Sequence, residues 1–133
     1  MSSASPGPGP AVAVVAAGGA VGAIARYGVE LALPTAPGAF PLGTFLVNVS
    51  GCLLIGVLLV VVTELRQAHP LVRPFLGTGV LGGYTTFSTY AVESQELLLG
   101  GHLAAAFGYL AATLVAALVA TWAGMRLTRA LAR

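Results

Sequence analysis

The sequence predicts an all-α membrane protein with four transmembrane helices, the third broken near its middle. One observation is charge scarcity: six basic and four acidic side chains occur among 133 residues, where a soluble domain carries about 25% charged residues. The second is that 57% of the residues are apolar and that they fall in runs about as long as a bilayer crossing, which consumes about 20 residues. The third is a glycine- and hydroxyl-rich interruption in the middle of the third run. A soluble globular protein is excluded, and a chain this short leaves little for any domain outside the membrane, so its function lies within the bilayer. The single cysteine, Cys52, sits in an apolar run, which excludes a disulfide framework or a Cys-based metal site. A net charge of +2 is too small to argue for nucleic acid.

Residues 1–10, MSSASPGPGP, alternate Pro and Gly and have nothing to bury, so they are expected to form a disordered or extended tail. No Lys or Arg precedes the first apolar run, which argues against a cleaved leader. The first span is expected over residues 11–33, closed by Pro34 and the turn sequence Thr35-Ala36-Pro37-Gly38. The second starts near Pro41 and continues through Val62, with Glu64, Arg66, His69 and Pro70 marking its exit. The fourth runs from about Leu103 to Met125. The domain organisation is therefore a tail over residues 1–10, one membrane domain over 11–128 and a basic tail over 129–133.

The third segment, residues 71–99, contains Gly77, Gly79, Gly82 and Gly83 followed by the hydroxyl-rich Tyr84-Thr85-Thr86-Phe87-Ser88-Thr89-Tyr90. It reads as two half-helices joined by an unwound stretch around residues 81–85. Non-helical backbone at membrane depth is tolerated where protein buries it or where it lines a wet cavity, and such breaks mark sites for ions or substrates. A glycine kink that permits close helix packing is the alternative.

Four spans put both termini and the loop between the second and third spans on one side, with Arg66, Arg73, Arg126, Arg129 and Arg133. The opposite loops have no Lys or Arg. The positive-inside rule places that arginine-rich side in the cytoplasm.

Asn48 lies in the middle of the second span with Thr44 one turn before it and Gly51 or Cys52 on the same face. A carboxamide in hydrocarbon must be hydrogen-bonded, either lining a pore or joining helices as glue. Phe87 and Tyr90 share a face, and their positive ring edges suit an anion in an uncharged passage, though ordinary packing reads the same way. Tyr109 and Thr113 share a face of the fourth span. A stripe of Gly108, Ala112, Ala116, Ala120 and Gly124, matched by Gly18 and Gly22 in the first span, calls for closely approaching partner helices, from which an oligomer, most simply a dimer, is expected. Arg26, with Glu30 at i+4, is either an anion-attracting charge at a vestibule mouth or a snorkelling side chain. Glu93 and Glu96 lie late in the third segment and are expected to be solvated or locally paired near a helix end; the alternative is a buried carboxyl able to exchange protons. His69 and His102 are expected in solvated loops. Enzyme signatures are absent from the sequence.

Three stretches combine into a pattern: Gly22-Ala23-Ile24-Ala25-Arg26-Tyr27, the segment from Gly43 to Gly51 with Asn48, and the segment from Gly77 to Tyr90 containing GGYTTFSTY. Together they resemble the Fluc fluoride channels, also called the CrcB family, over essentially the whole chain after the tail. The resemblance implies a non-enzymatic, passive fluoride channel of the cell membrane that lowers fluoride toxicity. It also implies four-helix subunits paired antiparallel, two narrow pathways and a structural Na+ at the interface. By motif, Asn48 is a pore donor, Phe87 and Tyr90 are the pathway aromatics, and Arg26 sits in the vestibule. Gly82 and Thr85 supply backbone carbonyls to sodium, and Tyr109 and Thr113 contribute from the fourth helix. Thr44 and Ser88 are also assigned to the pathway, with Thr86 and Thr89 beside them. The family usually has Phe where this chain has Tyr90. An antiparallel homodimer also conflicts with the one-sided arginines, so the pairing is with itself or with an oppositely inserted homologue. Two other readings stay open: a small proton-coupled multidrug exporter, and a non-conducting partner subunit of a heterodimeric fluoride channel.

Overall fold

A computed structural model describes residues 7–67 and 69–133 as helices joined by short loops, with no strand among the described residues. Helix α1 covers Pro8–Ala32. Helix α2 covers Leu42–Val60 and continues as wide, π-type turns over Val61–Leu65. Helix α3 occupies residues 72–84, π-type over Pro74–Leu81 and α-type over Gly82–Tyr84. Helices α4 and α5 cover Phe87–Leu99 and Leu103–Leu131. Three helical stretches, Pro8–Ala32, Leu42–Leu65 and Leu103–Leu131, are long and apolar enough to cross a membrane; α3 and α4 are the two halves of the broken segment.

Several boundaries differ from expectation for identifiable reasons. The expected tail lies outside the described residues for positions 1–6, but Pro8 to Pro10 form the first turn of α1. The first amides of a helix have no intrahelical partner, so proline there sacrifices no hydrogen bond. At the other end the helix runs on through Arg126 and Arg129 to Leu131 rather than giving way to a tail. The Thr128 hydroxyl donates to the Gly124 carbonyl at 2.7 Å. Arg129 makes a two-pronged contact with Glu64 on the end of α2, 2.7 and 3.0 Å.

The break falls at Thr85 and Thr86, both extended (φ −79°, ψ 153° and φ −145°, ψ 114°), while Gly82–Tyr84 stay helical. The expected unwound stretch over residues 81–85 is thus shorter and starts later. The glycines before it let α1 and α3 touch backbone to backbone instead of breaking the helix. A Cβ on Gly22 would collide with the Val80 carbonyl, and one on Gly83 with the Gly19 carbonyl.

The small-residue stripes are likewise used inside one subunit. Gly56 of α2 and Gly124 of α5 face each other's backbones, against Thr121 and Leu53 respectively, so α2 packs chiefly on α5 while α1 packs chiefly on α3. The close partner helices expected from another copy are this chain's own; only Gly108 of the glycines in the stripes looks onto open space.

The distribution of burial is that of a protein solvated by lipid. Large apolar side chains such as Ile24, Leu114, Leu118 and Trp122 point outward, while Thr44, Asn48, Thr86, Ser94 and Thr113 are buried. Polar groups therefore gather on the inner faces of α2, α4 and α5, around the break.

Candidate functional site

Asn48 holds the break. Its Oδ1 accepts the Thr86 backbone N–H at 2.8 Å, and its Nδ2 donates to the Thr86 carbonyl at 3.1 Å. One carboxamide thus pairs both backbone groups of a residue that has left the helix, which is what buried backbone requires. In an uninterrupted helix the Thr86 N–H would reach the Gly82 carbonyl; with that donor taken by Asn48, the Gly82 oxygen is released. On the other side of the break, Ser50 and the Tyr84 hydroxyl lie 2.9 Å apart. Gly51 has no side chain to obstruct the Thr85 methyl, which lies where a Cβ would be. The Thr86 hydroxyl then caps α4 by accepting the Thr89 N–H at 3.1 Å.

A cavity of about 350 Å³ opens beside this clamp, lined in part by Asn48, Gly82, Thr85, Phe87, Tyr90 and Thr113. It brings together Asn48, Phe87, Tyr90 and Thr113 of the expected pathway with Gly82 and Thr85, the expected carbonyl donors. Thr113 is 6% exposed, and its hydroxyl has no hydrogen-bond partner among the described residues. The other threonines of α5 behave differently: Thr121 and Thr128 donate to the carbonyl one turn earlier. Thr113 thus lines the cavity with a buried hydroxyl whose hydrogen-bonding capacity is unused, and Asn48 retains a second amide hydrogen beyond the one bonded to Thr86. Apart from these donors the lining is apolar or neutral. Such a site solvates a small anion without a fixed counter-charge that would trap it.

Phe87 is 79% exposed on this face, and its ring lies 5.9 Å from that of Tyr90. The Tyr90 hydroxyl donates to the Leu110 carbonyl on α5 at 2.8 Å, so it is anchored to a helix instead of adding a free group to the cavity. Tyr90→Phe is accordingly expected to leave ion flux within about twofold of the parent while lowering stability by roughly 1 kcal/mol, the net worth of one hydrogen bond. Flux and thermal unfolding measured on the same purified variant check this.

Tyr109 is placed differently from the expectation. It is fully buried, stacked edge-on between Phe40 and Tyr90 at 5.3 and 5.1 Å, and lines none of the described cavities. Its hydroxyl donates to Glu93 at 3.4 Å. Thr44 is separated from the central cavity by one turn of α2 and lines a second cavity of about 350 Å³ with Thr89, Glu30, Glu93 and Glu96. Ser88 lines neither; its hydroxyl lies 3.4 Å from that of Thr86. Arg26 lies 3.9 Å from Glu30, itself a lining residue, but does not line the second cavity.

Glu93 takes the alternative of the two placements read from the sequence. Expected near a solvated helix end, it is instead half-buried in the middle of α4, where it meets Tyr109. The signal was present in the spacing, because Thr86, Tyr90 and Glu93 follow one another at i+4 and i+3 on one face of α4. His102 is exposed, as expected, and its ring packs against Gly38 in the loop between α1 and α2.

Comparison with known proteins adds an independent line. Residues 13–125 match the family described as CrcB-like protein, Camphor Resistance (CrcB). The chain is 61% identical over 113 residues to a Streptomyces coelicolor protein named fluoride-specific ion channel FluC 1, covering 85% of this chain and 73% of that one. It is 60% identical over 108 residues to the FluC 2 of Streptomyces avermitilis, covering 81% and 68%. The same organism has a protein named FluC 3 that is 47% identical over 123 residues, covering 92% and 60%.

Proposed function

The chain belongs to the CrcB-like family and is a fluoride channel, not an enzyme, and we propose that it conducts fluoride passively out of the cytoplasm, past the break between α3 and α4. The observation that carries the pathway is the cavity that Asn48, Phe87 and Thr113 line together, Thr113 with a buried hydroxyl that has no partner among the described residues. Fluoride is small and strongly hydrated, so its passage requires replacement of water by neutral donors that release it again. Asn48 supplies an amide hydrogen and Thr113 a hydroxyl. Phe87 and Tyr90 supply ring edges, whose positive rim faces an anion favourably. Thr44 continues the polar lining one turn further along α2, in the second cavity that Glu30, Glu93 and Glu96 also line.

The subunit crosses the cell membrane four times, with α3 and α4 sharing one crossing, and works as an antiparallel pair. The wide exposure of Phe87 at the break supports a second subunit covering that face. The released Gly82 carbonyl and the neighbouring Thr85 are hard oxygen donors of the kind that hold sodium. Gly82 carries no side chain to shield its oxygen, and a Cβ there would lie 3.7 Å from its nearest neighbour, the Gly77 carbonyl. The residues therefore fit a structural sodium shared between two subunits, which when bound offsets the repulsion between facing carbonyl dipoles. The one-sided arginines favour a single insertion orientation, and hence pairing with an oppositely inserted homologue. The two numbered FluC proteins of one organism are in keeping with such pairing.

Liposomes containing this chain, alone or with an oppositely inserted homologue, are expected to release fluoride far faster than chloride and without a proton gradient. Absence of fluoride release in both preparations would reject the reading. The half-buried Glu93 is the one observation that favours a proton-coupled exporter instead, and flux that requires a pH gradient would establish that alternative.

A further inference from the structure

The central cavity does not end at the break. Toward the arginine-rich end it meets a groove of about 280 Å³ between α2 and α3; both are lined by Ile55 and Gly77. The groove continues past Leu58, Leu59 and Val62 and reaches Thr78 and Arg73 at its rim. Arg73 is exposed, makes no ion pair among the described residues, and is the only charged side chain lining either cavity. The one acid at this end, Glu64, is held by Arg129. The opposite cavities are lined by Glu30, Glu93 and Glu96 and by no arginine. The route is therefore electrostatically polar along its length, with an unneutralised cation at one end only.

We propose that Arg73, with Thr78 beside it, forms an anion-gathering entrance to the pathway at the arginine-rich end of the subunit. This rests on the fluoride-channel reading above and extends it to residues that the central site does not include. A cation at the rim of an apolar groove raises the local concentration of anions by an amount that depends on ionic strength. Its reach is about 30 Å at 0.01 M salt and about 3 Å at 1 M. A rim position suits this role better than the interior, because the ion is attracted while still hydrated and is not held at the narrowest point. Thr78, one residue beyond Gly77 along α3, also lines the groove.

The test is fluoride efflux from liposomes, with the chain reconstituted as in the functional assay and ionic strength set with an impermeant organic anion. Relative to the parent, Arg73→Gln is expected to lower flux by roughly threefold to tenfold at about 0.01 M ionic strength and to match the parent at about 1 M. Arg73→Lys keeps the charge and is expected to restore flux at low salt. Arg66→Gln, at the same end but outside the groove, is expected to have a smaller effect. A parent with no fluoride flux would remove the underlying reading. A conducting parent would overturn the entrance alone under any of three results. These are Arg73→Gln matching the parent at low salt, a deficit that persists at high salt, or an equal deficit in Arg66→Gln.

Discussion

Asn48→Ala is expected to reduce fluoride efflux by at least about tenfold, because a hydrogen bond to a charged partner contributes roughly 1.5–3 kcal/mol and the same substitution also releases the break. Asn48 pairs both backbone groups of Thr86, and without it neither group has the partner that holds the chain out of the helix at the break. The variant is therefore expected to lose flux, to lose protection of the Thr86 amide from hydrogen exchange, and to lose sodium binding together. Asn48→Asp separates the roles. It keeps an oxygen for the Thr86 N–H but removes the amide donors and adds a negative charge beside the anion route. Amide protection at Thr86 is expected to survive in this variant while flux is lost. An alanine variant that conducts at the parental rate would show that fluoride does not pass Asn48.

Gly22→Val is expected to prevent assembly of a folded, monodisperse protein. Overpacking costs about 1–3 kcal/mol where neighbours can shift. At Gly22 the obstacle is the Val80 carbonyl and the Tyr84 amide, backbone atoms of α3 that cannot move without moving the helix. The displacement would pass directly to the break, since Tyr84 is the last helical residue before it. Gly108→Val is the matched control, on a helix face with nothing within 4 Å, and is expected to fold normally. Size-exclusion profiles and thermal unfolding of both variants in detergent check the contrast.

The membrane class, the apolar runs and the presence of an interruption in the third segment followed from composition and spacing, because hydrocarbon admits long apolar helices and penalises unpaired polar groups. The candidate residues of the central cavity were legible for the same reason: Asn48, Thr113 and the hydroxyl-rich stretch after Gly83 are out of place in lipid unless something faces them. For Glu93 the choice between burial and solvation was not settled by sequence, because distance from a helix end in sequence does not measure depth. Its burial is set by Tyr109 arriving from α5.

Other features depended on which surfaces meet. Glycine stripes specify that a backbone approaches closely, yet they carry no information on whether it belongs to the same chain, and here Gly18, Gly22 and Gly124 are matched within it. The glycines before the break looked like its cause, whereas the chain leaves the helix at Thr85 and Thr86, where Asn48 provides the alternative hydrogen bonds. The hydroxyl of Tyr90 is available or occupied according to the position of the Leu110 carbonyl.

What the chain determines by itself is the inventory: enough apolar length to lie in a bilayer, and a small set of neutral donors that lipid cannot satisfy. What tertiary structure decides is the allocation of those donors. Asn48 is largely engaged with backbone, Tyr90 is tied to a neighbouring helix, and the Thr113 hydroxyl is buried without a partner among the described residues. The reason is geometric, since a hydrogen bond depends on the placement in space of groups distant in sequence, and that is set only when the helices pack.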